Sequence, residues 1–463
     1  MQRIQSYVRP FVGSWTFYRF ALSVMIPVTV QQLINNLFNM ADNLMMGHLN
    51  VEGLAMSAIT VANKPYIIFS GVVFGLSGAG GLMMSQYFGA NDRKTCQGLF
   101  SLQMLLGVGN AVLFVSVLFL FPERVMRLFV ADERTVEMGI RYLRIICISY
   151  IPAAFSGTCV FSMRALGRNR ISMVVSVATM GANLAFDYML IFGKMGLPAM
   201  GVEGAAWGTL IARTLEMGFY LILLWRKWLF FSLDFLAYRH LPGRAVKTFS
   251  RKAVPLIANE LLWTVGMSVY FWCYARIDET ALPAITIAEQ CGQIAMALTM
   301  GTSSAISVLI GTELGVNHFR LARENCKKLF SLVVIIGIVG FALNIVLGFA
   351  LPMAFQLSEG LRRLASMATM AMAVFAPLGC VYSFCYFCLR AGGDMRSTML
   401  IDSGYMWLVP VPLSIVIALT MPGKLPIVFA ILLVQGLTNA KAVIALLTLK
   451  KGKWVRNITV TDH

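Results

Sequence analysis

Two acidic residues stand inside otherwise apolar runs: Asp42 closes "NNLFNMAD" (35–42) and Asp187 sits in "TMGANLAFDYML" (179–190). Neither is isolated. Steps of three and four residues place Gln32, Asn35, Asn39 and Asp42 on one helical face, and Thr179, Asn183 and Asp187 repeat the pattern at i, i+4 and i+8. Carboxylate, amide and hydroxyl oxygens are hard donors suited to a small alkali cation, and two partly desolvated acids can equally load a proton. An Asp at the centre of a membrane helix costs about 3 kcal/mol on insertion scales, which weighs against a purely structural role for two of them. A polar seam between helices needs only one or two such groups. Seven amides and acids between Gln31 and Asn43 read better as the wall of a water-filled cavity.

Further polar residues interrupt later apolar runs. Glu260 follows Pro255 by just over a turn in "PLIANELLWTVG", and Glu289, Gln290 and Gln293 form a polar patch. With Gln32, Asn35 and Asn39, the residues Glu260, Glu289 and Gln290 are candidates to line a substrate path. Arg213 and Glu216, three residues apart, are expected to form a local ion pair. Asp402, near the start of its run, is expected to snorkel to water. Pro27 removes one backbone hydrogen bond from the first run and is a candidate hinge, although a static kink would use the same residue.

Signatures of covalent chemistry are missing. There are four His, no H-E-x-x-H, no G-x-x-x-x-G-K-[ST] and no pair of acids placed to hold Mg²⁺ and a pyrophosphate. The expectation is a protein that is not an enzyme and carries no cofactor, drawing energy from an ion gradient. The nine Cys scatter through apolar runs as small fillers, and Cys385/Cys388 lacks the surroundings of a redox or zinc site.

The elements that must hold these groups are long apolar helices. The 463 residues are 58% hydrophobic and only 13% charged, where a soluble chain carries about 25% charged residues. Twelve apolar runs have the length, roughly 20 residues, that crosses a bilayer core. They lie near 17–43, 54–86, 97–121, 138–162, 172–192, 202–225, 253–275, 281–312, 329–352, 366–389, 398–420 and 426–448. The fold class is therefore an all-α polytopic membrane protein. The second and eighth runs are over-long, implying tilt or a helical extension. The basic, aromatic N-terminus has no cleavable leader, so the first span is expected to direct insertion. Most Lys and Arg fall in the N-terminus, the even-numbered loops and the C-terminus, which predicts that both termini are cytoplasmic. That rule explains the net charge of +17 without nucleic-acid binding, because the basic residues are dispersed over short loops.

The chain is duplicated. "AITVAN" (58–63) is echoed by "AITIAE" (284–289), "FGLSGAGGLMMSQYFGAND" (74–92) by "MGTSSAISVLIGTELGVNH" (300–318), and "MRALGRNR" (163–170) by "LRAGGDMR" (389–396), all at an offset of 226 residues. The expected organisation is an N-lobe at 1–225, a cytoplasmic linker at 226–252, a C-lobe at 253–448 and a cytoplasmic tail at 449–463. Six spans per half make the halves enter from the same side, and transporters of this kind place the substrate path between them.

The motifs resemble the multidrug and toxic compound extrusion (MATE) family over the full length. "PVTVQQLINNLFNMADNLMMGHL" (27–49), "SQYFGAND" (85–92), "RALGRNR" (164–170) and above all "NLAFDYMLIFGKMGLPAMGVEGAAWGT" (183–209) carry the likeness. The resemblance implies a bacterial secondary antiporter of two six-helix lobes around a central cleft. It would export amphipathic, cationic drugs or toxic organic compounds in exchange for Na⁺ or H⁺ by alternating access, as a monomer in the cell membrane. In the DinF-like branch a cluster of Asp, Asn, Asp and Thr carries cation coupling, and by motif these fall on Asp42, Asn183, Asp187 and Thr209. The NorM-like branch adds a Glu on the seventh span, matching Glu260, and an Asp on the tenth. Here the tenth span, "FAPLGCVYSFCYFCL", has no acid, which favours the DinF-like branch and N-lobe coupling. Two alternatives stand beside this reading: a lipid-linked precursor flippase of the wider superfamily, for which Arg213 is the one candidate cavity arginine, and an integral-membrane transferase.

Overall fold

The computed structural model describes residues 12–47, 58–59, 61–128, 132–354, 358–421 and 423–459, with the backbone alone at 39–44, 46–47, 279 and 354. Every regular element among them is helical. The membrane-length helices are α1 (Trp15–Gly47), α2 (Lys64–Gly89), α3 (Arg93–Leu120), α4 (Glu133–Ala165), α5 (Asn169–Phe192), α6 (Gly201–Trp225), α7 (Gly243–Ile277), α8 (Leu282–Gly315) and α9 (Phe319–Ala354). A bent pair α10 (Glu359–Ala373 and Ala376–Ala391), then α11 (Met395–Thr420) and α12 (Ile427–Lys450), complete the set. The α10 pieces meet at 45°. Pro377 causes the bend, because it enters the second piece without an N–H to return to the preceding turn. Among the described residues eleven helices, or twelve spans with the bent pair counted as one, are long and apolar enough to cross a bilayer. The chain is a multi-pass membrane protein.

The duplication is visible in the helix starts. Arg93 and Phe319, Glu133 and Glu359, Asn169 and Met395, and Gly201 and Ile427 open corresponding helices 226 positions apart. Short polar side chains set several of these starts by accepting orphan amides. Asp92 takes Thr95 N at 3.0 Å, Asp132 takes Thr135 N at 2.9 Å, Ser358 takes Leu361 N at 3.4 Å and Asp394 takes Ser397 N at 3.3 Å.

Helices α1–α6 form one lobe and α7–α12 the other. The lobes meet where α2 packs on α7 and α1 on α8, two contacts that are each other's symmetry mates. Glycine makes both approaches possible. A Cβ on Gly75 would lie 2.8 Å from Ile257 Cα, and one on Gly301, its equivalent, 2.8 Å from Met25 O. Helix α1 continues through Pro27 without a break. Helix α8 carries a π turn at Ser307–Gly311, and α11 another at Leu400–Gly404.

The expected linker is shorter than its sequence suggests, since 243–252 already form the first turns of α7. What remains is strapped to the N-lobe: Gln97 bonds both Ser232 N (3.0 Å) and Ser232 O (3.0 Å), and Phe231 stacks on Phe100 at 4.4 Å. The tail after α12 is held between the lobes. Gln86, at the end of α2, donates to Ala391 O (2.8 Å) and accepts from Ile458 N (2.8 Å), while Asn457 donates to Gly315 O at 3.0 Å. The lobes are thus closed against one another at the end that carries the tail.

Candidate functional site

Each lobe contains a buried polar relay, and a cavity lies between them. In the N-lobe the relay starts at Arg164, near the end of α4, whose Nη2 donates to Gln31 Oε1 at 2.9 Å. Gln31 Nε2 donates to Ser176 Oγ (2.6 Å), and Ser176 Oγ donates to Glu216 Oε1 (3.1 Å). Four helices are joined by three bonds that run from cation to anion. Charge-assisted bonds at both ends stabilise such a chain more than its neutral middle would alone. Asn35 Nδ2 donates to Gln32 Oε1 at 3.2 Å, which places these two α1 amides beside the same relay.

The expected Arg213–Glu216 ion pair does not form. Glu216 accepts from Ser176 of α5, while Arg213 donates to Ser149 Oγ (3.2 Å) and stacks on the Tyr66 ring at 4.3 Å. Partners on neighbouring helices outcompete a local pairing that is worth only about 0.2–0.5 kcal/mol.

Farther along α5, Asn183 Nδ2 donates to Asp187 Oδ2 at 2.9 Å, and Asp187 is 3% exposed. Gly208 of α6 admits this carboxylate: a Cβ there would fall 1.9 Å from Asp187 Oδ1. Thr209, the next residue, is partly buried. The α5–α6 packing therefore sets Asp187, held by Asn183, against Gly208. The side chains of Asn39 and Asp42 lie outside the described residues.

The C-lobe contains charges in direct contact. Lys441 Nζ of α12 donates to Asp402 Oδ1 of α11 at 2.6 Å, and the other carboxylate oxygen accepts from Asn259 Nδ2 at 2.9 Å. Ser403 Oγ donates to Asn259 Oδ1 at 2.7 Å. The expectation that Asp402 snorkels to water is overturned. The π turn of α11 buries Ile401, Asp402 and Ser403 consecutively, and the Lys441 ammonium also sits 4.1 Å from the Tyr382 ring. A second pair lies next to it: Arg390 Nη1 donates to Tyr386 OH (2.8 Å), Tyr386 OH donates to Glu260 Oε1 (3.2 Å), and Arg390 and Glu260 approach to 3.8 Å. Asp402 and Lys441 escaped the sequence reading as partners because they stand on different helices, 39 residues apart.

Between the lobes lies a cavity of about 470 Å³, within the usual range for small-molecule sites. Tyr66, Phe69 and Phe161 wall it on the N-lobe side, and Trp263, Met296 and Tyr386 on the C-lobe side. Among the described residues Glu260 and Asp402 are its acids, and no arginine lines it. Glu289 and Gln290 are not in its wall, nor are Gln32 and Asn35. Asn36 Nδ2 instead donates to Gln293 O at 2.9 Å, so that polar stretch of α8 meets α1.

The family profile named MatE matches residues 27–189 and 255–416, most of both lobes. The chain belongs to the MatE family of membrane transporters. The family's two matched segments begin at Pro27 and Pro255, in the first helix of each lobe, and so follow the duplication. A probable multidrug resistance protein NorM of Geobacillus kaustophilus is 23% identical over 323 residues, covering 68% of each chain. One of Pseudomonas syringae pv. tomato is 25% identical over 411 residues, covering 83% of this chain and 85% of the relative. A MATE protein solved in complex with MaL6 superposes with a TM-score of 0.86 at 16% identity, covering 98% of this chain and 99% of that one. MatE membership thus agrees with the two-lobe arrangement of the helices.

Proposed function

We propose that this MatE protein is a cation-coupled antiporter that exports amphipathic aromatic cations from the cell by alternating access. The observation that carries the reading is the interlobe cavity, where aromatic and Met walls meet the Glu260 carboxylate. Flat apolar bodies bury against such walls, while ring faces and a carboxylate attract a positive charge. The relatives' description as probable multidrug resistance proteins supports the same substrate class. A cavity with no arginine among its described lining residues gives no support to a site for a lipid-linked pyrophosphate.

Coupling is assigned to the N-lobe, at Asp42, Asn183, Asp187 and Thr209. Asp187 is buried, its Oδ2 held by Asn183 and its Oδ1 seated on Gly208. Loading Na⁺ or H⁺ there would neutralise the carboxylate and repack α5 against α6, so that ion and drug favour opposite states. The protein works as a monomer surrounded by lipid in a bacterial plasma membrane, with both termini cytoplasmic. In that orientation the cavity belongs to an outward-facing state, because the tail end is closed.

Proteoliposomes with separately imposed Na⁺ and pH gradients identify the coupling ion. Asp42→Asn and Asp187→Asn are each expected to abolish ethidium efflux while leaving expression intact. Export by both variants at the parental rate would remove the N-lobe from the coupling mechanism.

A further inference from the structure

Below the cavity, toward the tail end, lies a second and smaller space of about 80 Å³. Its walls come in pairs 226 positions apart: Arg164 with Arg390, Ser77 with Ser303, and Phe161 with Phe387. A pocket lined by both members of each repeat pair lies on the pseudo-twofold axis that relates the lobes. Phe161 and Phe387 line the large cavity as well, so an aromatic collar separates the two spaces.

The described lining of this pocket is basic. Two guanidinium groups, one from each lobe, line a space whose wall contains no acid among the described residues. Arg164 reaches its nearest relay anion, Glu216, only through Gln31 and Ser176, and its Nε is buried with no hydrogen-bond partner. Arg390 gives Nη1 to Tyr386 and stands 3.8 Å from Glu260, which leaves the rest of its fork uncommitted to a carboxylate. Its Nη2 reaches the opposite lobe, since a Cβ on Gly78 would lie 2.0 Å from it. Two cations that line one small space can share an anion, which gains a charge-assisted contact from each.

We propose that this pocket is a small-anion site, taking a halide or a monovalent anion of similar size between Arg164 and Arg390. The space exceeds the roughly 10–15 Å³ that one water requires, so an anion and a few waters fit. It is too small for a lipid headgroup. An anion here bridges the lobes at their closed end. It is bound while that end is shut and released when the lobes part.

The test uses the full-length protein. Crystals of the wild type grown with bromide in place of chloride are expected to show an anomalous peak between Arg164 and Arg390. Peaks confined to exposed lysines, as adventitious ions, overturn the site. In detergent at constant Na⁺ and ionic strength, replacing gluconate by chloride is expected to raise the unfolding temperature by a few degrees in a saturable way. That rise should survive Arg164→Lys and be lost in Arg390→Gln. An equal rise in a folded Arg390→Gln variant overturns the site, and if that variant does not fold the anomalous measurement on the wild type decides.

Discussion

The two lobes start from the same arginine and dispose of its charge differently. In the N-lobe, Arg164 is linked to Glu216 through the neutral side chains of Gln31 and Ser176. In the C-lobe, Arg390 lies 3.8 Å from Glu260, and Asp402, the equivalent of Ser176, contacts Lys441 directly. The equivalents of Asp187 and Gly208 are Leu413 and Val434, so the C-lobe has neither the acid nor the gap that admits it. One lobe therefore keeps a buried carboxylate in the company of an amide and a glycine. The other supplies its own ammonium. Duplication provided two copies of one scaffold, and only the N-lobe copy carries an acid at the Asp187 position.

The sharpest way to break this contrast is to remove one charge from each lobe. Lys441→Met strands Asp402 in a buried site, which costs about 3–5 kcal/mol when an ion pair is broken from one side. Glu216→Gln keeps an oxygen for Ser176 and should cost about 1 kcal/mol. Thermal unfolding in detergent checks the ranking. Asp402→Asn combined with Lys441→Met should recover most of the loss, and a double variant as unstable as Lys441→Met alone would show that the ammonium acts by packing.

The segments that follow the lobes offer a second contrast. Trp454 in the tail is the repeat equivalent of Trp228 in the linker, but Trp454 is 3% exposed and Trp228 64%. Trp454 also donates Nε1 to Leu449 O at 3.0 Å. Trp454→Ala should cost about 3 kcal/mol and Trp228→Ala less than about 0.5 kcal/mol. Comparable losses in the two variants would mean that the linker tryptophan is covered by something besides this chain.

Smaller still is the effect of closing the gap beside Asp187. Gly208→Ala places a methyl where Asp187 Oδ1 now sits, and overpacking of this kind costs about 1–3 kcal/mol. Val434→Ala, at the equivalent C-lobe position, should leave transport unchanged because no acid sits opposite it. The measurement is ethidium efflux at matched expression, and equal activity in Gly208→Ala and the parent would place coupling elsewhere.

What could be read from the sequence follows the range of each signal. The apolar spans and the 226-residue repeat were legible because hydropathy is local, whereas several helix starts lie five to ten residues before the apolar runs, and Asn183 and Asp187 meet as i, i+4 spacing requires. Arg213 and Glu216 satisfied a local rule yet found partners on α4, α2 and α5, and Asp402 found Lys441 on α12. Those outcomes depend on interhelical packing, which periodicity does not encode. Arg164 and Arg390 stood out as members of a repeated motif, but only the docking of the lobes around their axis brings both to one pocket.

The faintest difference between the lobes lies at the helix starts. Asp132 caps α4 and Ser358, its equivalent, caps α10. Hydrogen bonds from Thr135 Oγ1 and N hold the Asp132 carboxyl below its ordinary range. A depressed pKa means that the folded state prefers the ionised form. The cap's contribution is therefore present above the ordinary carboxylate range and is lost as pH falls through the lowered value. Serine does not titrate there. Hydrogen exchange, corrected for intrinsic rates, should show the first turn of α4 losing protection on acidification while the first turn of α10 does not. Asp132→Ser should make the two turns respond alike. If α4 in that variant still opens selectively in acid, the sensitivity belongs to the neighbouring Glu133–Arg127 pair, 3.0 Å apart, and not to the cap.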